Sequence, residues 1–263
     1  MLRDSVYDFA MQKLNYHLHC RYNPSLTDYK DILAQLKTDG IAIINDFFDE
    51  PQLDLMLEEI ARVRKSPAIV DNMYGHSDTG IERIFNIREL APSTKIFFDH
   101  PLIASVFKAY FSKNATELKV FYEAKSEVGV SSQSNFHHFD DWRHRMKAFC
   151  YLTDVSAENA PLRYIKKSQK WGYWRFWEEY NYFLHFRTDA KGQYTELTDY
   201  SGMMFPHEVE TVKTKWNCEE VFCTGKKGTV ILFDSRGLHS STVLQSGERQ
   251  LLASYWTMKG LGL

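Results

Sequence analysis

The feature that most constrains this chain is a change of hydrophobic period near Leu118. Before it, apolar residues recur at helical spacing; after it, they alternate. In "SLTDYKDILAQLKTDG", Ser25 to Gly40, the residues Leu26, Tyr29, Ile32, Leu33 and Leu36 share one side of a helix, with Gly40 as its C-terminal stop. "IAIINDFF" reads as a short buried strand. "DEPQLDLMLEEIARVRKS" predicts a second helix, with Pro51 in its first turn and Leu53, Leu57, Ile60 and Val63 on one side. "HPLIASVFKAYFS" predicts a third. From Leu118 onward, "ELKVFYEAKS", "MKAFCYLTDV", "PLRYIKKS", "GTVILFD", "SSTVL" and "QLLASYW" are short runs rich in Val, Ile, Tyr and Phe, bounded by turn residues. A helical layer followed by many short strands predicts an α+β chain whose strands close as a jelly roll or barrel.

One segment breaks the alternation. "WGYWRFWEEYNYFLHF", Trp171 to Phe186, carries aromatics at 171, 174, 177 and 180 and an apolar residue at 184, a helical stripe inside an insertion at about 171–220. It reads as a helix packed on the barrel or on a partner subunit, or as a lid over a pocket. There is no internal repeat and no linker rich in Gly, Pro or Ser, so residues 1–263 read as one domain.

Charge narrows the function classes. The formal net charge is −2 and no basic stripe stands out, which argues against nucleic acid as a partner. The longest apolar runs, such as "TVILF", are too short to cross a bilayer, and the charged start "MLRDSVYDFAMQKL" has no apolar signal region. A cytoplasmic protein is the expectation, and a homo-oligomer is compatible with it. The four cysteines, Cys20, Cys150, Cys218 and Cys223, then read as free thiols. Cys218 and Cys223 with His207 faintly suggest zinc, without the paired C-x-x-C that structural zinc uses.

The chemistry concentrates in "NFHHFDDWRHR", Asn135 to Arg145. It contains one H-x-D frame, His138-Phe139-Asp140. On an extended backbone, residues i and i+2 project from one face, so an imidazole and a carboxylate can reach one metal. His137 is out of frame, either structural or a pocket wall. A third ligand is offered by His239 in "GTVILFDSRGLHSSTVLQSGERQLLASYW". Two histidines and one carboxylate form the facial triad of non-haem Fe(II) oxygenases, which leaves positions open for a cosubstrate and O2. Arg249 lies ten residues beyond His239. A three-residue hairpin loop over Gln245 to Gly247, with Gly247 left-handed, would pair Val243 with Arg249 and aim the guanidinium to the face of His239. Its planar fork suits a carboxylate.

These residues resemble the phytanoyl-CoA-dioxygenase-like group of Fe(II)/2-oxoglutarate oxygenases. "LKTDGIAIINDFF" is similar to the family's N-terminal entry, "HFD…MKAFCYLTDVSAENAPLRYIKKSQK" to its first metal-bearing strand and the strand after it, and "GTVILFDSRGLHSSTVLQSGERQLLASYW" to its C-terminal metal and cosubstrate strands. The resemblance covers most of the chain. It implies a double-stranded β-helix (a cupin-like jelly roll), iron held by His138, Asp140 and His239, and Arg249 on the distal carboxylate of 2-oxoglutarate. The chain departs from the family at "KSQK", Lys167 to Lys170, where "GSHK" is usual.

"HFDDW" further resembles the free-amino-acid branch that includes the radical lysine halogenases and their hydroxylase relatives. In that branch Asp-Trp follows the metal motif and a Glu lies on a preceding strand, features matched by Asp141, Trp142 and Glu123. Two carboxylates near a metal pocket favour a cationic group such as a lysine ammonium. Asn135 and Arg83 are candidates for the amino acid's own carboxylate or amine. Structural roles compete with these: an ion pair of Glu123 with Lys125, a salt bridge of Asp141 with Arg143 or Arg145, and a plain surface strand for "GIERIF". Halogenases of this fold have a small residue where Asp140 stands, so its carboxylate implies hydroxylation. The expected activity is hydroxylation of a free basic amino acid, lysine first. The alternatives are oxidation of a small natural-product intermediate or acyl thioester, and a cupin-like metal-binding or sensing protein without turnover.

Overall fold

Two antiparallel sheets face each other, and helices from the first half of the chain cover the outside of the larger one. The computed structural model describes residues 2–66, 73–76, 80–141, 144–170, 175–177, 179–180 and 203–258. The helices are α1 (Leu2–His19), α2 (Lys30–Asp39), α3 (Glu50–Arg64), the short α4 (Ile87–Leu90) and α5 (Lys95–Phe98), α6 (Pro101–Tyr110) and α7 (Pro206–Trp216). The strands are β1 (Ile41–Ile44), β2 (Met73–His76), β3 (Ile81–Phe85), β4 (Ala115–Lys125), β5 (Met146–Tyr151), β6 (Leu162–Ile165), β7 (Glu220–Cys223), β8 (Val230–Asp234), β9 (His239–Ser241) and β10 (Arg249–Met258). The large sheet runs β1-β8-β5-β10-β4-β3-β2 and the small one β7-β6-β9.

Local chemistry sets the helix ends. α2 stops at Gly40, whose φ of +83° is the left-handed conformation and whose N–H donates to the Leu36 carbonyl. It begins later than the periodicity predicts, because Pro24–Leu26 forms a separate turn of 3-10 helix capped by Asn23. α3 opens on a reciprocal capping box: the Gln52 N–H donates to Asp49, and the Asp49 N–H donates to the Gln52 side chain. α6 buries Leu102, Ile103, Val106, Phe107 and Ala109. Fully burying the Leu, Ile, Val and Phe side chains among them contributes about 1.5–3 kcal/mol each. α1, β7 and α7 are not anticipated by the sequence reading.

Strand alternation splits the apolar residues into two clusters. Leu252, Tyr122, Ala148, Cys150 and Leu232 face the helices, against Phe107, Val106 and Ile60. Their neighbours Leu251, Ala253, Phe121, Tyr151, Ile231 and Phe233 face the small sheet, against Leu162 and Tyr164. The space between the sheets, the inner chamber, is where the chemistry lies.

The hairpin expected between His239 and Arg249 does not form. β9 pairs with β6 in the small sheet, whereas β10 lies between β5 and β4 in the large one. The intervening loop crosses from one sheet to the other, and the Gln245 and Ser246 N–H groups donate to the Glu158 carbonyl. Gly247 is left-handed, with φ +63°, as the turn chemistry predicts. Val243 therefore does not pair with Arg249, and "SSTVL" is extended only as far as Ser241.

The four cysteines are free. Among the described residues, Cys218, Cys223 and His207 do not form a metal-holding group. In the insertion, the helical residues 175–177 and 179–180 pack on α1, with Phe176 and Tyr180 both against Phe9. Trp171, Trp174 and Leu184, the other positions of the expected stripe, lie outside the described residues. No described helix is long and apolar enough to cross a membrane.

Candidate active site

His138 and His239 face each other across an isolated antiparallel bridge. Each backbone N–H donates to the other's carbonyl, at 2.9 Å in both directions. Asp140 is tied through its N–H to the Ser235 carbonyl, 3.1 Å away. The result brings the three side chains together: one donor atom from each lies within 4.8 Å of the others. Asp140 Oδ1 is 3.8 Å from His138 Nε2 and 3.5 Å from His239 Nε2.

The backbone also fixes the imidazole tautomers. Nδ1 of His138 contacts the Phe136 carbonyl at 2.9 Å, and Nδ1 of His239 contacts the Gly237 carbonyl at 2.8 Å. A carbonyl only accepts, so each Nδ1 carries the proton and each Nε2 presents a lone pair to the centre. Burial and the neighbouring His239 hold the His138 imidazole down to about 3. Burial, then Lys147, lowers His239. Burial alone would push the Asp140 carboxyl up, but Lys147 and the histidines hold it well below the usual carboxylate range. Two neutral imidazoles and one carboxylate are the protonation states a divalent metal requires.

Lys147 is the site residue that the sequence reading missed. It lies on β5 with the inner-face parity of Phe149 and Tyr151. Its ammonium is 2.7 Å from Asp140 Oδ2 and 3.3 Å from His239 Nε2. It also sits over the rings of Tyr255 and Phe233, at 4.6 and 5.7 Å from their centroids. A protein cation is thus already drawn to the edge of the triad, so the donor set fits a cation. Strand parity was the available signal: Lys147 alternates in phase with residues of the chamber wall.

Arg249 also points inward, for a reason other than the expected hairpin. It shares the inner-face parity of Leu251 and Ala253 on β10. Its Nη2 donates to Glu123 Oε1 at 2.7 Å and its Nη1 to the Ala160 carbonyl at 2.5 Å. Nε is buried and has no hydrogen-bond partner among the described residues, which fits a further anionic acceptor at this guanidinium. Arg83 Nε donates to the other Glu123 oxygen at 2.7 Å. Burial opposes ionisation of Glu123, yet the two guanidinium groups keep its carboxyl below its ordinary value. Lys125, opposite Arg249 in the register, is lowered to about 8 by burial and then by Arg249.

The remaining predicted residues fall elsewhere. The ion pair weighed for Glu123 is made with Arg83 and Arg249. Asp141 is buried and pairs with Arg145 at 3.0 Å, the competing structural role. Asn135 pins its turn to β9: Nδ2 donates to the Ser241 carbonyl at 3.0 Å, and Oδ1 accepts from the Ser132 N–H at 2.7 Å. His137 faces Glu220, 3.1 Å away. Trp142, with Arg143, lies outside the described residues.

Comparison with known proteins gives the family and the fold. Residues 36–250 match the family model for phytanoyl-CoA dioxygenase (PhyH). An ectoine dioxygenase of Bordetella parapertussis is 22% identical over 223 residues, covering 80% of this chain and 69% of that protein. Among solved structures, EctD from S. alaskensis with 2-oxoglutarate and 5-hydroxyectoine is similar at a TM-score of 0.63 and 14% identity, covering 92% of this chain and 80% of that one. The non-haem α-ketoglutarate-dependent epimerase SnoN from nogalamycin biosynthesis is similar at 0.59 and 14%, covering 91% and 87%. HygX from Streptomyces hygroscopicus with nickel and 2-oxoglutarate is similar at 0.55 and 16%, covering 89% and 88%. The fold is the cupin-like jelly roll of these oxygenases, and the chain belongs to the phytanoyl-CoA dioxygenase (PhyH) family.

Proposed function

We propose that this dioxygenase-family chain uses Fe(II), 2-oxoglutarate and O2 to hydroxylate an unactivated C–H bond of a small free amino acid, with lysine and other basic amino acids as first candidates. The observation that carries the reading is the inner-face arrangement of the His138–Asp140–His239 group beside the Arg83–Glu123–Arg249 chain. The first would hold iron. The second would serve cosubstrate and substrate. Bound there, iron with 2-oxoglutarate and O2 supplies the oxidising power that converts C–H to C–OH.

The protein's own groups do the rest. Lys147 holds Asp140 Oδ2, which leaves Oδ1 turned to the two Nε2 atoms. The Phe136 and Gly237 carbonyls fix the imidazoles. A carboxylate at the position of Asp140 favours hydroxylation over halogenation, because a second anion would compete for the same place. Arg249, braced by Glu123 and Ala160, would take the distal carboxylate of 2-oxoglutarate. Basic side chains on the inner face, among them Arg83, Lys119, Lys125, Lys147 and Arg249, stand against the carboxylates of Glu123 and Asp140. That surplus suits a dianionic cosubstrate.

Arg83 and Glu123 offer opposite charges side by side, a complement to a zwitterion. Arg83 is the more exposed partner, so an entering amino acid would exchange one internal pair for two: its carboxylate to Arg83 and an ammonium to Glu123. Asp141, Trp142 and Asn135 remain candidates for contacts around that group. The similarity to an ectoine dioxygenase supports a small amino-acid-like substrate. The similarity to structures from nogalamycin biosynthesis supports a second reading, oxidation of a natural-product intermediate.

The test is mass spectrometry of an amino-acid panel incubated with the full chain, Fe(II), 2-oxoglutarate and air. A gain of one oxygen on lysine, ornithine or arginine, with matching succinate, is expected. Succinate coupled only to neutral or cyclic substrates would sink the basic-amino-acid reading and leave the oxygenase reading standing.

A further inference from the structure

On the opposite face of the large sheet lies a second constellation that the oxygenase chemistry does not use. Phe233 faces the inner chamber and touches His239, their rings 5.4 Å apart. The next residue, Asp234, therefore points to the helical side. There it accepts hydrogen bonds from the Tyr110 hydroxyl at 3.0 Å and from Arg236 Nη2 at 2.9 Å. Above this pair opens a cavity of about 510 Å³ between α1, α2 and α6, away from the triad.

The lining is basic. Lys37, Lys170 and Arg236 contribute three cations, and no carboxylate lines the cavity among the described residues. Asp234, behind Arg236, offsets one of the three charges. Two histidines, His17 and His144, complete the wall with Tyr110 and Gln169. His144 is clamped between the rings of Phe111 and Tyr16, with centroids at 5.7 and 5.8 Å and near-parallel planes. Its Nδ1 is turned to the Asp234 carboxylate, 3.7 Å away. Burial, Arg236 and Lys13 hold His17 down to about 4. Both histidines are neutral at pH 7, and His144 is held there by burial and Arg236. A rim with two cations that no described carboxylate pairs calls for an anion.

We propose that this outer cavity is a second ligand site, built for a phosphate group. A dianionic phosphate matches the two rim cations left over after the Arg236–Asp234 pair. Its several oxygens can accept from Lys37, Lys170 and Arg236 at once. A free phosphate ion and a phosphate carried by a larger metabolite share that chemistry.

The test uses the full chain and isothermal titration at constant ionic strength, with inorganic phosphate in one arm and adenosine monophosphate in the other. Saturable binding of either is expected; tighter binding of the nucleotide would assign the phosphate to a larger metabolite. Lys37 and Lys170 are exposed, so the double variant Lys37→Gln/Lys170→Gln should fold normally and bind about tenfold more weakly or worse. Arg249→Ala and Asp140→Asn, both on the inner face, should bind phosphate as the parent does. Three results would each overturn the proposal: no saturable binding in either arm, undiminished binding by the double lysine variant, or loss of binding in Arg249→Ala, which would place the phosphate in the inner chamber.

Discussion

The two faces of the large sheet hold the same chemical components arranged to opposite ends. On the inner face Asp140 is paired with Lys147 and approached by two histidines. On the outer face Asp234 is paired with Arg236 and approached by His144 at 3.7 Å. Asp234 is fully buried and saturated: Tyr110 and the Arg236 side chain and backbone all donate to it. Asp140 is partly exposed, with one oxygen held by Lys147 and the other turned to two nitrogen lone pairs. Lys147, 3.3 Å from His239 Nε2, is the cation that the described residues bring to them. A carboxylate that has all its donors is structural; one turned to two imidazole nitrogens is the arrangement that a metal would use.

Several variants would break or sharpen this contrast. The largest effect is expected from His239→Ala, which should abolish coupled succinate formation and weaken Fe(II) or Co(II) binding by about 100-fold or more, as measured by titration under argon. Next, Asp234→Asn strands the buried Arg236 and should cost about 3–5 kcal/mol in guanidinium unfolding, while metal affinity of the folded fraction stays near that of the parent. A loss of metal as large as in His239→Ala would erase the distinction between the faces. Arg249→Ala should raise the KM for 2-oxoglutarate by about 10–100-fold, the worth of a charge-assisted contact, with metal affinity little changed. Lys147→Met removes the ammonium from the second oxygen of Asp140. It should alter the ligand-field spectrum of the Co(II) protein and weaken metal binding by about tenfold, with partial rescue by Lys147→Arg.

The smallest effect concerns pH. His17 titrates near 6.5 when unfolded and at about 4 when folded. Between those values the unfolded chain binds more protons, so this contribution to stability is present above pH 6.5 and is lost as pH falls toward 4. Unfolding free energies at pH 7 and pH 5 should therefore differ less in His17→Gln than in the parent. An unchanged difference would show that His17 is not buried against the outer cluster.

Much of this was legible in the sequence because it depends on short-range periodicity. The parity of β4, β5, β8 and β10 follows from alternation, and the H-x-D spacing puts His138 and Asp140 on one face whatever surrounds them. The position of Arg249 was legible by face and wrong by route. Alternation along β10 points it inward, but local turn chemistry cannot reveal that the loop before it changes sheets. The partner of Glu123 was not legible either. Lys125 is its neighbour in sequence, whereas Arg83 and Arg249 reach it from the two adjoining strands. Lys147 was overlooked because a lysine in an apolar run reads as a solvent-facing position. α1 was missed for a related reason: it buries Phe9, Lys13 and Tyr16 on one side while leaving Tyr7, Met11, Leu14 and Leu18 exposed on the other, which blurs its amphipathic signal.

The reciprocal bridge between His138 and His239 links the two imidazoles through their main chains, not only through what they would hold. Neither backbone segment can move away alone without releasing two amide protons to solvent. Deuterium uptake at these two amides is therefore a clock for the opening of the centre. Loading it with a redox-inert divalent ion should slow both amides together and leave those of the outer face ticking as before.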